Sequence, residues 1–186
     1  LHKEYRRQRQ MCIRDSHKPG GTLLDTGKQA HLDSIRRIKT EFISILKGMD
    51  YCLDWKQDES EWSVREIVYH ILETPPGGAP NLVNKIISGD VREYEIWSDL
   101  TNLTSERAAH DIDQVNSDIE AFFGNLSDSI LNLSDRDLVD KKAVMHQKTR
   151  DIVETRTLDA ILEATLNRHI SEHLIQLRSI RDALAI

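Results

Sequence analysis

His169 and His173 stand four residues apart in a stretch whose apolar residues keep helical spacing. At about 100° per residue, Leu158, Leu162, Leu166, Leu177, Ile180 and Leu184 share one arc, and Glu163, Asn167, Ser171 and Arg178 lie opposite. The two histidines fall inside the apolar arc, where each unpartnered imidazole would cost about 1–3 kcal/mol. A divalent metal is one partner, because two histidines one turn apart aim their nitrogens at a single point about 2.0–2.1 Å from each. Hydrogen bonds to polar neighbours such as Thr165 or Gln176 are the other. With eight histidines in the chain, the spacing alone decides nothing; its place on an apolar face carries more weight.

A third ligand is required. His70, near the end of an earlier helical stretch, is the leading candidate, although its angle lies just outside that helix's apolar arc. His31, His110 and His146 are the alternatives. Glu66 and Glu73 sit about one turn to either side of His70, so either could orient that ring or shuttle a proton. For Glu66 the plainer role is the capping box Ser63-Val64-Arg65-Glu66, which satisfies amides of the helix's first turn.

Trp62-Ser63-Val64-Arg65-Glu66-Ile67-Val68-Tyr69-His70-Ile71 resembles the Trp-Ser-x-x-Glu-x-x-x-His-Leu signature of DinB-like (DinB/YfiT-type) proteins. His169-Ile170-Ser171-Glu172-His173-Leu174-Ile175-Gln176-Leu177 resembles their C-terminal His-x-x-x-His-x-x-Gln-Leu element. The likeness spans residues 26–186. It implies a four-helix bundle with a long crossover between helices 2 and 3, and a metal held at one end of it by His70, His169 and His173. It also implies, for some members, thiol S-transfer with low-molecular-weight thiols such as bacillithiol or mycothiol, and it makes a homodimer plausible. The segment Pro75–Pro80, PPGGAP, departs from the plainest family pattern.

Three neutral imidazoles leave one tetrahedral position open, as in catalytic zinc sites. A water there is lowered toward pKa 7, and a thiol becomes a thiolate. Imidazole ligands suit zinc, nickel or iron. Gln176, one turn beyond His173, is placed to support that ring. The reading is therefore a metal-dependent enzyme of thiol S-transferase or hydrolase type. The rival is a non-enzymatic, stress-related binding or dimerisation bundle whose histidines are structural.

The elements that must position these residues read as helices. Leu32, Ile35, Ile38, Phe42, Ile45, Leu46 and Met49 step by three or four, predicting a helix from about Thr26 to Leu53. The helix capped by Ser63 carries Val64, Ile67, Val68, Ile71 and Leu72 and stops at Pro75-Pro76. A short piece around Leu82–Ile87 ends at Gly89, and residues 90–103 are irregular. Ala108, Ile112, Val115, Ile119, Phe122, Phe123, Leu126 and Ile130 predict a third long helix. A helical turn is expected near Ser134–Leu138, then a poorly periodic stretch to Arg156, and a last helix from Thr157 to about Leu184. The class is all-α, a four-helix bundle, and a substantial sheet is not expected.

Composition agrees with a single domain. The chain has 186 residues, 39% hydrophobic and 30% charged, with no apolar run long enough to span a bilayer. Two cysteines make no disulfide framework, so a reducing, cytoplasmic setting is expected. Residues 1–16 hold five basic and two acidic residues, and removing that +3 from the chain's −6 leaves −9 for residues 17–186. Met11-Cys12-Ile13-Arg14-Asp15-Ser16 reads as translated transposase-type sequencing adapter, of metagenomic origin, with the natural start codon missing. Codons unlike the adapter across those six residues would refute it. The expectation is an artefactual tail over 1–16 and one bundle domain over 17–186. An acidic body disfavours nucleic acid, and the expected partner is a small-molecule substrate, with no membrane.

Overall fold

The computed structural model describes residues 27–186; the adapter-like segment, Cys12 and the basic stretch lie outside them. The first helix, α1, spans Lys28–Leu46 and buries Ile35, Ile38, Phe42, Ile45 and Leu46, the face its periodicity marks out. It ends earlier than expected. Gly48, at φ 81°, turns the chain, and Met49, Cys52 and Leu53 stay in the core from turns rather than from helix. Cys52 is a free, buried thiol.

Helix α2, Val64–Glu73, opens on the capping box: Ser63 Oγ accepts from Glu66 N, and Glu66 accepts from Ser63 N. It ends where Thr74-Pro75 forms a cis peptide. Helix α3, Ala79–Ser88, follows directly. At Gly78, φ 81°, an added Cβ would stand 2.5 Å from the Leu72 carbonyl oxygen, so the return from α2 into α3 needs glycine there. Gly89 caps α3 in the left-handed conformation.

The crossover is long and carries β1, Glu93–Ile96, and the single turn α4, Ser105–Ala108. Helix α5, Ile112–Leu131, is capped by Asp111, whose side chain accepts from Gln114 N. Its apolar face meets α1 across the core, with the Phe42 and Phe123 rings edge-on at 6.4 Å. Burying one such phenyl contributes roughly 2–3 kcal/mol. A short helix α6, Asp135–Asp140, precedes β2, Lys142–Gln147, and β3, Ile152–Thr157. Thr157 then caps α7, Leu158–Glu163, which runs through a π-helical segment, Ala164–Ile170, into α8, Ser171–Ala183.

The bundle expected from the sequence is present: α1, α2 with α3, α5, and the α7–α8 helix. The small sheet is a difference. Its order is β1-β2-β3, with β1 parallel to β2 and β2 antiparallel to β3. Tyr94, Ala143 and Met145 are buried in the core from it, and Ile96 packs against the core half-buried. β3 is exposed along most of both faces, so it lacks the alternation that marks a half-buried strand. Among the described residues no helix is long and apolar enough to cross a membrane.

Candidate metal centre

The π-helical segment sets where the last helix's histidines go. It shifts the phase of the apolar stripe so that Ile170 and Leu174, rather than their neighbours, take the core. His169 and His173 are therefore placed on the flank of the stripe, half-buried and turned toward α2. From α2, His70 comes in fully buried, 1% exposed, deeper than its angle on a helical wheel suggests.

The three rings converge. Their centroids are 4.8–5.0 Å apart, and one ring nitrogen from each lies within 4.8 Å of the others. His70 Nδ1 is 2.6 Å from the Leu100 carbonyl oxygen. A carbonyl only accepts, so Nδ1 holds the proton and Nε2 turns its lone pair inward. His173 Nδ1 likewise donates to Gln176 Oε1 at 3.0 Å, which frees its Nε2. His70 Nε2 and His169 Nε2 stand 3.0 Å apart. Two nitrogens bound tetrahedrally to one zinc are about 3.3 Å apart, given bonds of 2.0–2.1 Å.

The electrostatics keep the rings neutral. Burial pushes His70 down to about 4, beyond what its hydrogen bond to Leu100 restores. Burial holds His169 well below the ordinary histidine range, and the neighbouring His173 and His70 add to the fall. His173 is lowered too, by burial, against the pull of Gln176 and Glu172. At neutral pH all three are the free base, the form that ligates a metal.

Around them the polar partners are a carbonyl, an amide and a hydroxyl. Thr74 Oγ1 lies 3.4 Å from His70 Nδ1 and itself accepts from Asn102 Nδ2 at 3.2 Å. Trp62 covers one side, its ring 4.7 Å from His70 and stacked 6.1 Å from His173. Converging lone pairs, locked tautomers and neutral rings fit a divalent cation, and these three residues could hold one.

No family model matches the chain, and no curated protein matches it. Solved structures do. YfiT from Bacillus subtilis superposes with a TM-score of 0.63 at 15% identity, over 90% of this chain and 94% of that one. The fold is the YfiT-type four-helix bundle. That protein is described as a probable metal-dependent hydrolase with an unusual four-helix bundle topology. A Streptococcus pneumoniae protein of known crystal structure matches at TM-score 0.58 and 12% identity, over 92% of this chain and 95% of that one.

The other sequence candidates lie elsewhere. His31, on α1, meets Asp159 on α7, Nε2 to Oδ1 2.8 Å. His110 precedes α5 instead of opening it, and its Nδ1 lies 2.8 Å from Tyr69 Oη and 3.1 Å from Asp118 Oδ2. His146, on β2, pairs with Glu93 at 3.1 Å. Glu66 is held by Ser63 N and Lys56 Nζ; burial works to raise its pKa, but those contacts outweigh it and hold the carboxyl below its ordinary value. Glu73 pairs with Arg107. Sequence reasoning missed Leu100, Thr74 and Asn102. A backbone carbonyl leaves no trace in a motif, and the other two signal only ordinary turn chemistry.

Proposed function

We propose that this protein is a divalent-metal-dependent enzyme acting on a small molecule, with His70, His169 and His173 as the metal ligands. The observation that carries the reading is the convergence of three neutral ring nitrogens, two of them with tautomers fixed by outward hydrogen bonds. A bound zinc, nickel or iron ion supplies Lewis acidity there, making a water or a thiol nucleophilic at neutral pH. The reaction class is hydrolysis or thiol S-transfer, and the description of YfiT supports hydrolysis. The chain's own part is positional. Leu100 and Gln176 hold the outer nitrogens of His70 and His173, and Thr74 with Asn102 backs the first of these. Trp62 walls the rings and keeps bulk water from that side. Glu66 and Glu73 are each committed to a cationic partner, Lys56 and Arg107, and on this reading either would act as a proton carrier only by leaving it. A cytoplasmic homodimer is part of the same proposal.

Elemental analysis of the purified protein beside His70→Ala and His169→Ala tests the site. One ion per chain in the parent and none in either variant is expected. Full occupancy in both variants overturns it. Turnover is then sought with activated esters, and with an electrophile plus a low-molecular-weight thiol. Metal without turnover in either assay would favour the structural bundle instead.

A further inference from the structure

A cavity of about 750 Å³ runs between α3 and α5, and none of the three metal-centre histidines lines it. On α5, Asp118, Ala121, Phe122, Asn125 and Asp128 line it, recurring at helical spacing along one face. Asn81 and Asn84 of α3 stand opposite. At a rise of about 1.5 Å per residue, Asp118 and Asp128 are about 15 Å apart along the helix. Between them lie apolar Ala121 and Phe122 and the amide of Asn125.

The Asp118 end is the more elaborate. Asp118 Oδ2 accepts from Tyr69 Oη at 2.8 Å and lies 3.1 Å from His110 Nδ1. A carboxylate only accepts, so His110 carries a proton on Nδ1. Glu106 lines the same end. Among the described residues Arg107 is the one Lys or Arg in the lining, and its guanidinium is already given to Glu73 and to the Asn102 carbonyl. The cavity therefore offers acceptors and negative charge at two separated points with an apolar stretch between. An ammonium group has three donors and no acceptor, and methylenes suit the stretch between.

We propose that this cavity is a binding site for a linear diamine, an ammonium group at each end of a methylene chain. One terminal ammonium sits between Asp118 and Glu106, the other lies at Asp128, and the methylenes cross Ala121 and Phe122. The site is separate from the metal centre and would stand if the metal reading fell.

1,8-Diaminooctane titrated calorimetrically into the full chain tests it, with 1,8-octanediol as the uncharged control. Saturable binding of one molecule per chain is expected, weakened by added salt and not shared by the diol. Asp118→Asn should weaken it about tenfold, because that carboxylate is half-buried and hydrogen-bonded, and exposed Asp128→Asn about threefold. Absence of saturable binding overturns the proposal. So does an unchanged affinity in both variants, which would mean diffuse attraction to an acidic surface, or equal binding of the diol. Circular dichroism checks each fold. Should Asp118→Asn not fold, Asp128→Asn and Glu106→Gln on the exposed rim decide in its place.

Discussion

Tyr69 and His70 are neighbours on α2, yet they lead into two differently built histidine clusters. His70 joins His169 and His173, whose hydrogen-bond partners are a carbonyl, an amide and each other. Tyr69 joins His110, which has a carboxylate, Asp118, within hydrogen-bond reach. His31 and His146 follow the second pattern, with Asp159 and Glu93. An imidazole beside a carboxylate is already satisfied. Three imidazoles facing one another with no carboxylate bonded to any of them bring ring nitrogens to one point, where they could hold a cation. That difference, more than the four-residue spacing, sets the candidate metal centre apart from the carboxylate-paired histidines.

The sharpest way to break the comparison is to remove one ring from the first cluster. His169→Ala should lower metal affinity at least about 1,000-fold, roughly 4 kcal/mol, measured by competition with a chromogenic chelator. A fall of only 10–100-fold would rank His169 as an outer support instead of a ligand.

The second-largest effect belongs to a paired histidine and concerns stability, not metal. His31 is 1% exposed and ties α1 to the first turn of α7. His31→Ala should cost about 3 kcal/mol in urea unfolding, from a charge-assisted hydrogen bond and the space left behind. Metal content should not change. Loss of metal in this variant would mean that the two kinds of cluster are not independent.

The metal-free protein offers a third test, through pH. His70 titrates near 6.5 when unfolded but at about 4 in the fold. Between those values the unfolded chain binds the extra proton, so acid favours unfolding. Stability should therefore fall as pH drops through this window and level off below about 4. The His70 share amounts to about 2 kcal/mol between pH 7 and pH 5. His70→Ala should flatten the curve by that amount. A metal-free parent equally stable at pH 7 and pH 5 would mean that the rings are not held neutral.

The helices that carry both clusters were legible because burial and periodicity coincide: Ile35 to Leu46 on α1 and Val115 to Ile130 on α5 are buried as their spacing implies. The Ser63–Glu66 capping box and the Thr157 cap were equally plain, since each rests on a local hydrogen bond. What escaped was non-local or out of phase. The π-helical segment at Ala164–Ile170 moved His169 and His173 from the middle of the apolar arc to its flank, which no fixed 100° step can show. The β1–β2–β3 sheet escaped because β3 buries almost nothing. His169 and His173 stood out by their spacing on an apolar face and His70 as the leading third candidate, and motif likeness joined the three into one set. The contacts that lock two of their tautomers come from residues 100 and 176, and only the second leaves a side chain in the motif.

The smallest expected effect sharpens the comparison from the other side of α2. His110→Ala removes a ring that still has 20% of its side chain exposed, and Tyr69 Oη keeps its hydrogen bond to Asp118 without it. The cost should be about 1 kcal/mol, the value of one partly solvated hydrogen bond. Metal affinity should stay at the parent's value, because neither side chain bonded to the His110 ring, Tyr69 or Asp118, makes a hydrogen bond to His70, His169 or His173. A competing possibility runs through the backbone: Arg65 Nη1 donates to the His110 and Arg107 carbonyls, and Arg107 in turn donates to the Asn102 carbonyl. Asn102 backs Thr74 and, through it, His70. Truncating the His110 side chain leaves that backbone relay in place, whereas Asn102→Ala cuts it. Chelator competition on the two variants tells them apart: unchanged affinity for His110→Ala beside a roughly tenfold loss for Asn102→Ala keeps the clusters separate. An equal loss in both would make them one cooperative unit.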